Sequence, residues 1–570
     1  MDRAPASADT PPPQRALAAA RPILALILLL ALFLRLYGIN YGLPHLYYWD
    51  EPTVVNRAIR FASRDFNPHF FYYPTFYMYV LFVVSGGYYV VERLSGHYHS
   101  AQQFAAEFFL NPTRLYLTLR AFTALVGVGV VLVTYFAAKR YFGRTAGIVA
   151  ALFMAVSTLQ VSHAHLAITD TPHTLFVAAA LIPLHSVWKR GHARDYALAG
   201  ALIGLGIATK YLAGLHVCTL LAAHLLRPAD HPGQPLPQRV FNRNILLGLT
   251  AVFAGFFAGA PYCMLDFHTF LRDYKTQALI SQHGPEPSSM PFLLGIVLPA
   301  DLGSAILALS GAGLLVVLVR RRRRSDLVFL IFPAVYTLLL LRYPRGFSRY
   351  MIPVDPFLCS LAGVAVAAIL RRLRASGPTR LALAGALCGV AIFQPLRLDL
   401  KWDRWMAGPE EARTTALGWA DQHIPSGAPI ALHYLFNRSF LDAHVLTDVR
   451  LAKIDHDMPA GGQFGAVKQS VLAELHKRPV YIEKPFVQSF DQLKREGAHY
   501  FFSFRARQYN PEGALDPSFQ RDLDTRSKEI HRFGGTPAGM RGFPPRAASV
   551  FPVFPDGGRA GSNRGGRRHP

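Results

Sequence analysis

Cysteine is scarce in this chain. The four present, Cys218, Cys263, Cys359 and Cys388, lie in or at the edge of apolar runs, and none stands in a CxxC spacing. No disulfide framework and no zinc site is readable from them. No internal repeat is visible, which weighs against a transporter built from paired halves. The first apolar run has no small-residue cleavage site, so it reads as a retained helix and not as a cleaved signal. Acidic residues are also few, 35 against 59 Lys and Arg, for a net charge of +24. Such an excess raises nucleic acid as a partner. Here, though, the basic residues fall in short clusters between apolar runs and in a Gly/Arg/Pro tail. Membrane topology and anionic lipid headgroups account for that pattern, with no nucleic-acid partner.

What the chain does have is apolar length. Of its 570 residues 51% are hydrophobic and 16% charged, and mean hydropathy is +0.22. Runs of membrane length recur from residue 22 to 396 and then stop. The expectation is a polytopic α-helical membrane protein with a C-terminal soluble α/β domain. Its parts are a disordered cytoplasmic segment 1–21, a transmembrane module 22–396, an α/β domain 397–536 and a disordered tail 537–570. Basic clusters at Lys139–Arg144, Lys189–Arg194, Arg227–Arg243, Arg320–Arg324 and Arg371–Arg380 belong on the cytoplasmic side. All five fall there only if 75–95 does not span. Ser85-Gly86-Gly87 and Glu92-Arg93 weaken that stretch, so it reads as a juxtamembrane or re-entrant helix. About eleven spans remain, and the segments rich in His, Asp, Tyr and Pro are placed outside. Arg35, near the outer end of the first span, reads as a snorkelling side chain.

Tyr47-Tyr48-Trp49-Asp50-Glu51-Pro52 follows that span and puts two carboxylates at a membrane surface. The helix it opens has apolar Val54, Val55, Ala58 and Ile59 opposite Asn56, Arg57 and Arg60, a pattern for a helix in the interface. Asp50 serves equally as a helix cap. Asp170, in Thr169-Asp170-Thr171-Pro172, is either a cap or a second acid of the outer mouth. Lys210 sits alone in a long uncharged stretch, where an ammonium calls for a partner or an anion such as a lipid phosphate. Arg345 and Arg349 stand on the outer side against the usual charge bias, and guanidinium groups grip phosphate oxygens. The His163/His165 pair is a weak metal signal, because a helix splays residues two apart. The 264–291 loop carries His283 among other polar groups, without spacing that assigns a role.

These parts suit sugar transfer from a polyprenyl phosphate: an acid activates an alcohol, and cations stabilise the departing phosphate. The Asp50-Glu51 pair after the first span is similar to the motif of the GT-C glycosyltransferases. Tyr72–Tyr77, Leu119–Gly127, Thr169–Pro172, Thr209-Lys210-Tyr211 and Arg349–Pro353 extend the resemblance to family 39, the bacterial protein mannosyltransferase-like and aminoarabinose transferase-like enzymes. It covers roughly residues 22–435. It implies an inverting transfer at the outer face of the bacterial inner membrane, with a polyprenyl-phosphate sugar donor and a periplasmic C-terminal domain. By the same resemblance Asp50 is the base, Glu51 and Asp170 support it, and Lys210, Arg349 and Arg345 hold the donor phosphate. Tyr73, His165 and His283 are candidate substrate contacts. Relatives often carry His or Glu near the Tyr73-Pro74 position, sometimes as a metal ligand. Tyr-Tyr-Pro here leaves a divalent metal in doubt. The acceptor is not legible, and a lipid-linked sugar flippase is the alternative.

Overall fold

The computed structural model describes residues 14–48, 50–228, 240–282, 290–342, 347–373, 377–407, 412–432, 446–458, 465–484, 489–504, 517–526, 531–533 and 548–552. Trp49, His283 and Arg345 lie outside the described residues, as do the final stretch 553–570 and residues 1–13. Contacts divide the chain into two units. One holds Met1–Ile39, Arg57–Val83 and Leu119–Asp403; the other holds Asn40–Asn56, Val84–Thr118 and Arg404–Pro570.

The first unit is helical. Among the described residues four helices are long and apolar enough to cross a membrane: Thr113–Phe142, Gly303–Arg321, Ser348–Arg372 and Pro378–Arg404. Arg144–Ala155 and Thr158–Ala164 meet at a 58° bend and make a fifth if they count as one span. The chain is a multi-pass membrane protein. Several expected spans are shorter or broken. The 211–227 span is a 3-10 turn, Tyr211–Leu215, followed by the helix His216–Leu225. The 292–319 span is interrupted at Gly303, whose φ is +76°. That conformation is open to glycine and costly for other residues. The last helix runs on past residue 396, from Gly377 to Ala407. The first begins at Gln14, inside the stretch expected to be disordered, where Ala-rich sequence favours helix.

Close helix contact in this unit depends on small residues. Ala193–Thr209 lies against Arg243–Gly259, and a Cβ at Gly200 or Gly204 would collide with the backbone of Gly248 and Val252. Small residues that let two backbones approach are the usual means of helix association in a bilayer.

Arg35 does not snorkel. It is fully buried, and its guanidinium donates to the carbonyls of Ala31 at 3.1 Å, Ala155 at 3.0 Å and Met154 at 3.3 Å. The charges of Asp399 and Asp403 bear on it. A guanidinium that finds backbone carbonyls and acids inside the bundle has no need to reach the headgroups.

The second unit contains a mixed sheet in the order β2-β3-β1-β4-β6-β5. The strands are β1 (Pro429–Leu432), β2 (Leu446–Thr447), β3 (Val480–Glu483), β4 (Tyr500–Phe504), β5 (His531–Phe533) and β6 (Ala548–Pro552). Strands β2, β3, β1 and β4 pair in parallel; β6 pairs antiparallel with both β4 and β5. Helices between the parallel strands cover the sheet, as parallel pairing requires. Ala106 and Phe109, from the helix Ala101–Leu110, pack with Leu446, Ile454, Val471 and Leu475. The connection between two apolar helices thus contributes to the core of the C-terminal unit.

Candidate active site

The first unit brings Asp170 and Lys210 together. Asp170 is the first residue of the helix Asp170–Lys189, with Thr169 as its N-cap. The carboxylate therefore sits at the helix end where negative charge is favoured, but its side chain turns to Lys210. The helix Ala193–Thr209 stops at Lys210, whose backbone is extended, and the 3-10 turn Tyr211–Leu215 follows. This break aims the ammonium at the acid: Lys210 Nζ lies 2.6 Å from Asp170 Oδ1. The side chains are 15% and 6% exposed, so the pair is largely desolvated yet reachable from solvent.

Positive charge governs the Asp170 carboxyl. Burial pushes the Asp170 carboxyl up, while the charges of Lys210, Arg349 and His163 and the Lys210 hydrogen bond pull it down further. The net effect holds it well below the usual carboxylate range. Asp170 lies outside every candidate span. Arg349 stands on the short 3-10 turn Ser348–Tyr350, with its guanidinium over the Phe347 ring at 4.5 Å. Lys210 and Arg349 are the two cations whose charges bear most strongly on this carboxylate. An ammonium has three donors, and among the described residues Lys210 spends one of them on a side chain.

Neighbouring segments brace this turn. Tyr211 donates its hydroxyl to the Phe71 carbonyl at 2.9 Å, and the Phe71 amide donates to Asp273 at 3.0 Å. Phe71, Ala208, Ala260 and Cys263 form a small core with Phe76, Phe256, Tyr262 and Phe270 around them. The Tyr72-Tyr73-Pro74 segment is thereby tied to the Lys210 turn, and Tyr73 is half-buried against Phe70. His165 is buried and its Nε2 donates to the Tyr37 carbonyl at 2.9 Å. His163 Nδ1 donates to the Leu159 carbonyl at 2.9 Å.

Asp50 and Glu51 open the helix Asp50–Arg60 and belong, with Asn56, to the second unit. Glu51 is buried and Asp50 half-buried. Asn56, a turn and a half further along, accepts from the Tyr116 hydroxyl at 3.2 Å.

Sequence reading gave no sign that one polar group assembles. His69 Nε2 meets Asp65 at 2.9 Å, its Nδ1 lies 3.9 Å from Asp266, and Asn67 donates to Asp266 at 2.9 Å. Proximity of Asp65 to His69 in sequence was the available signal; Asp266 is distant and gave none. The two carboxylates approach opposite ring nitrogens, so they do not surround a common centre. Among the described residues no three His, Cys, Asp or Glu side chains converge to hold a metal ion. The His69, Asp65 and Asp266 donors do not converge to hold a divalent cation.

No curated protein matches the chain. Among solved structures, the oligosaccharyltransferase AglB of Archaeoglobus fulgidus, in complex with an inhibitory peptide and a dolichol-phosphate, is 13% identical with a TM-score of 0.49. That match covers 86% of this chain and 70% of AglB. ArnT of Cupriavidus metallidurans bound to undecaprenyl phosphate is 15% identical, also with a TM-score of 0.49. It covers 95% of this chain and 99% of ArnT. Residues 114–255 match the family described as dolichyl-phosphate-mannose-protein mannosyltransferase. That segment contains Asp170 and Lys210; Asp50, Glu51 and Arg349 lie outside it. Over those residues the match bears out the likeness to GT-C glycosyltransferases read from the motifs.

Proposed function

We propose that this protein is an integral-membrane glycosyltransferase that moves a sugar from a polyprenyl-phosphate donor to a hydroxyl acceptor on the outer face of the membrane. The observation that carries this reading is the Asp170–Lys210 pair, inside the segment that matches a lipid-phosphate-sugar transferase family, with the Arg349 charge bearing on it. A lipid-linked donor brings its own anion to a membrane protein. A paired lysine with spare donors, reinforced by a guanidinium, is suited to receive it.

In this reading the acceptor oxygen attacks the anomeric carbon as the bond from that carbon to the phosphate oxygen breaks. A single displacement inverts the configuration. Asp50 takes the acceptor proton as general base, with Glu51 as its neighbour. Negative charge grows on the departing polyprenyl phosphate. Lys210 and Arg349 stabilise it there, and Asp170 orients Lys210. Tyr73, His165, His283 and Arg345 remain proposed contacts with substrate or phosphate. The membrane is the inner membrane of a bacterium, with the C-terminal α/β domain on the same side as the site.

The test is transfer from a polyprenyl-phosphate sugar by purified protein. Asp50→Asn keeps the shape and removes the base, and the expected loss is about 10²- to 10⁴-fold in turnover. Full activity of that variant removes Asp50 as base. Movement of the lipid-linked sugar across liposomes with no transfer replaces the enzyme with a flippase.

A further inference from the structure

Three helix junctions of the first unit meet at two buried carboxyl groups that the proposed chemistry does not use. Ser157 caps the helix Thr158–Ala164 at the 58° bend that leads to His163. Asp301 ends the short helix Leu298–Asp301, just before the Gly303 break. Asp355 opens the helix Asp355–Arg372, shortly after Arg349. Asp355 is 0% exposed and Asp301 1%.

The hydrogen bonds among them need one more proton than two carboxylates and a hydroxyl contain. Ser157 Oγ lies 2.9 Å from Asp301 Oδ1 and 3.2 Å from Asp355 Oδ2. A hydroxyl has a single proton to donate, so it serves one of the two. Asp301 is already well supplied: the Leu159 amide donates to it at 2.8 Å, and the Thr158 amide donates as well. Among the described residues Asp355 has no backbone donor of this kind, and it stands in hydrogen-bonding reach of Asp301. Asp301 Oδ2 and Asp355 Oδ1 are buried with no donor among the described residues. Two buried carboxyl groups in contact do not both ionise.

The geometry points to one proton shared by Asp301 and Asp355, carried on Asp355, that makes the pair with Ser157 a clasp holding the Arg349 segment to the bend before His163. Asp301, with its three donors, is the ionised member. Asp355 donates to Asp301 or to Ser157 Oγ and supplies the missing link. The charge of Asp301 bears on Asp399 in the last long helix, and both acids bear on Cys359; Arg35 and Asp403 lie beyond Asp399. Asp301 and Asp355 are positioning residues in this account. That they position Arg349 for catalysis rests on the proposed transfer; the shared proton does not.

Purified full-length protein in detergent provides the test. Asparagine has the shape of a protonated aspartate and brings its own N–H donor. Infrared spectra of the parent protein are expected to contain the carbonyl band of a buried carboxylic acid that Asp355→Asn removes. The folded pair keeps a proton that the unfolded chain releases at neutral pH, so the parent's melting midpoint falls as pH rises through ionisation of the pair. That slope is absent in Asp355→Asn. At neutral pH Asp355→Ala melts lower by roughly 5–10 °C, and Asp355→Asn recovers the loss. A band and a slope that both survive Asp355→Asn overturn the shared proton. In a transfer assay Asp355→Ala raises the donor KM about tenfold with kcat little changed, and asparagine restores it. An unchanged KM overturns the positioning role. If the parent transfers no sugar, the infrared and melting results still decide the proton.

Discussion

Two kinds of ion pair stand in the first unit, and they differ in how fully they are used. At the Arg-rich turn before the helix Arg324–Leu340, Arg321 grips both oxygens of Asp326, at 2.8 and 3.1 Å. It also donates to the Tyr141 carbonyl at 3.1 Å. Arg190 and Asp195 make the same two-pronged contact at 3.2 and 2.8 Å. Both pairs join residues five apart, close one turn, and leave the acid saturated. Asp170 and Lys210 are 40 residues apart and share one bond. A saturated local pair closes a chain turn and is finished. An unsaturated pair between distant helix ends, with Arg349 adding charge, keeps donors for something not in the chain. Breaking either kind should therefore damage different properties.

The largest effect falls on Lys210. Lys210→Ala removes the ammonium aimed at the phosphate, and transfer should drop by about 10²- to 10³-fold. The protein should still fold, because alanine leaves Asp170 at a helix N-terminus with Arg349 nearby. Loss of the folded protein in place of loss of turnover would put Lys210 with the structural pairs. Asp326→Ala reverses that pattern. It strands the Arg321 guanidinium, which is 16% exposed, and should cost about 3 kcal/mol of stability. A lower melting temperature with kcat preserved in the surviving folded fraction is the expected result. A smaller effect belongs to Arg349→Lys. Lysine keeps the charge and loses the planar fork, so donor KM should rise by about tenfold with expression unchanged. Equal activity for lysine and arginine would reduce Arg349 to a source of field.

The sequence made some of this comparison legible. Lys210 announced itself as one charge in an apolar stretch, and Asp170 as an acid beside a helix-starting proline. Their pairing was not readable, because residues far apart in the chain meet only through helix packing. Strand β4, Tyr500–Phe504, is legible because aromatic residues crowd a short run. Arg35 was misjudged for the opposite reason. Hydropathy sees a charge near a span end, while the carbonyls of Met154 and Ala155 that bind it come from a bend no local pattern records. The Gly303 break was hidden in the same way, since one apolar run contains both helices. Local chemistry fixes where helices start; where they break and which buried groups then meet depends on partners elsewhere.

The smallest expected effect is a null one, and it separates the two kinds of pair by titration. Lys210, Arg349 and His163 outweigh burial and hold the Asp170 carboxyl below the ordinary range. A depressed carboxyl contributes stability above the unfolded value, near 4, and loses it as pH falls through the lower folded value. Between about pH 8 and pH 5 the Asp170 carboxyl therefore stays ionised in folded and unfolded chains alike, and its contribution to stability is flat. Melting temperatures of the parent and of Asp170→Asn should run parallel across that window and converge only in stronger acid. Divergence inside the window means that Asp170 is protonated in the resting protein. Lys210 would then meet the donor phosphate without a carboxylate counter-charge, and Asp170 could orient it only as a neutral hydrogen-bond acceptor.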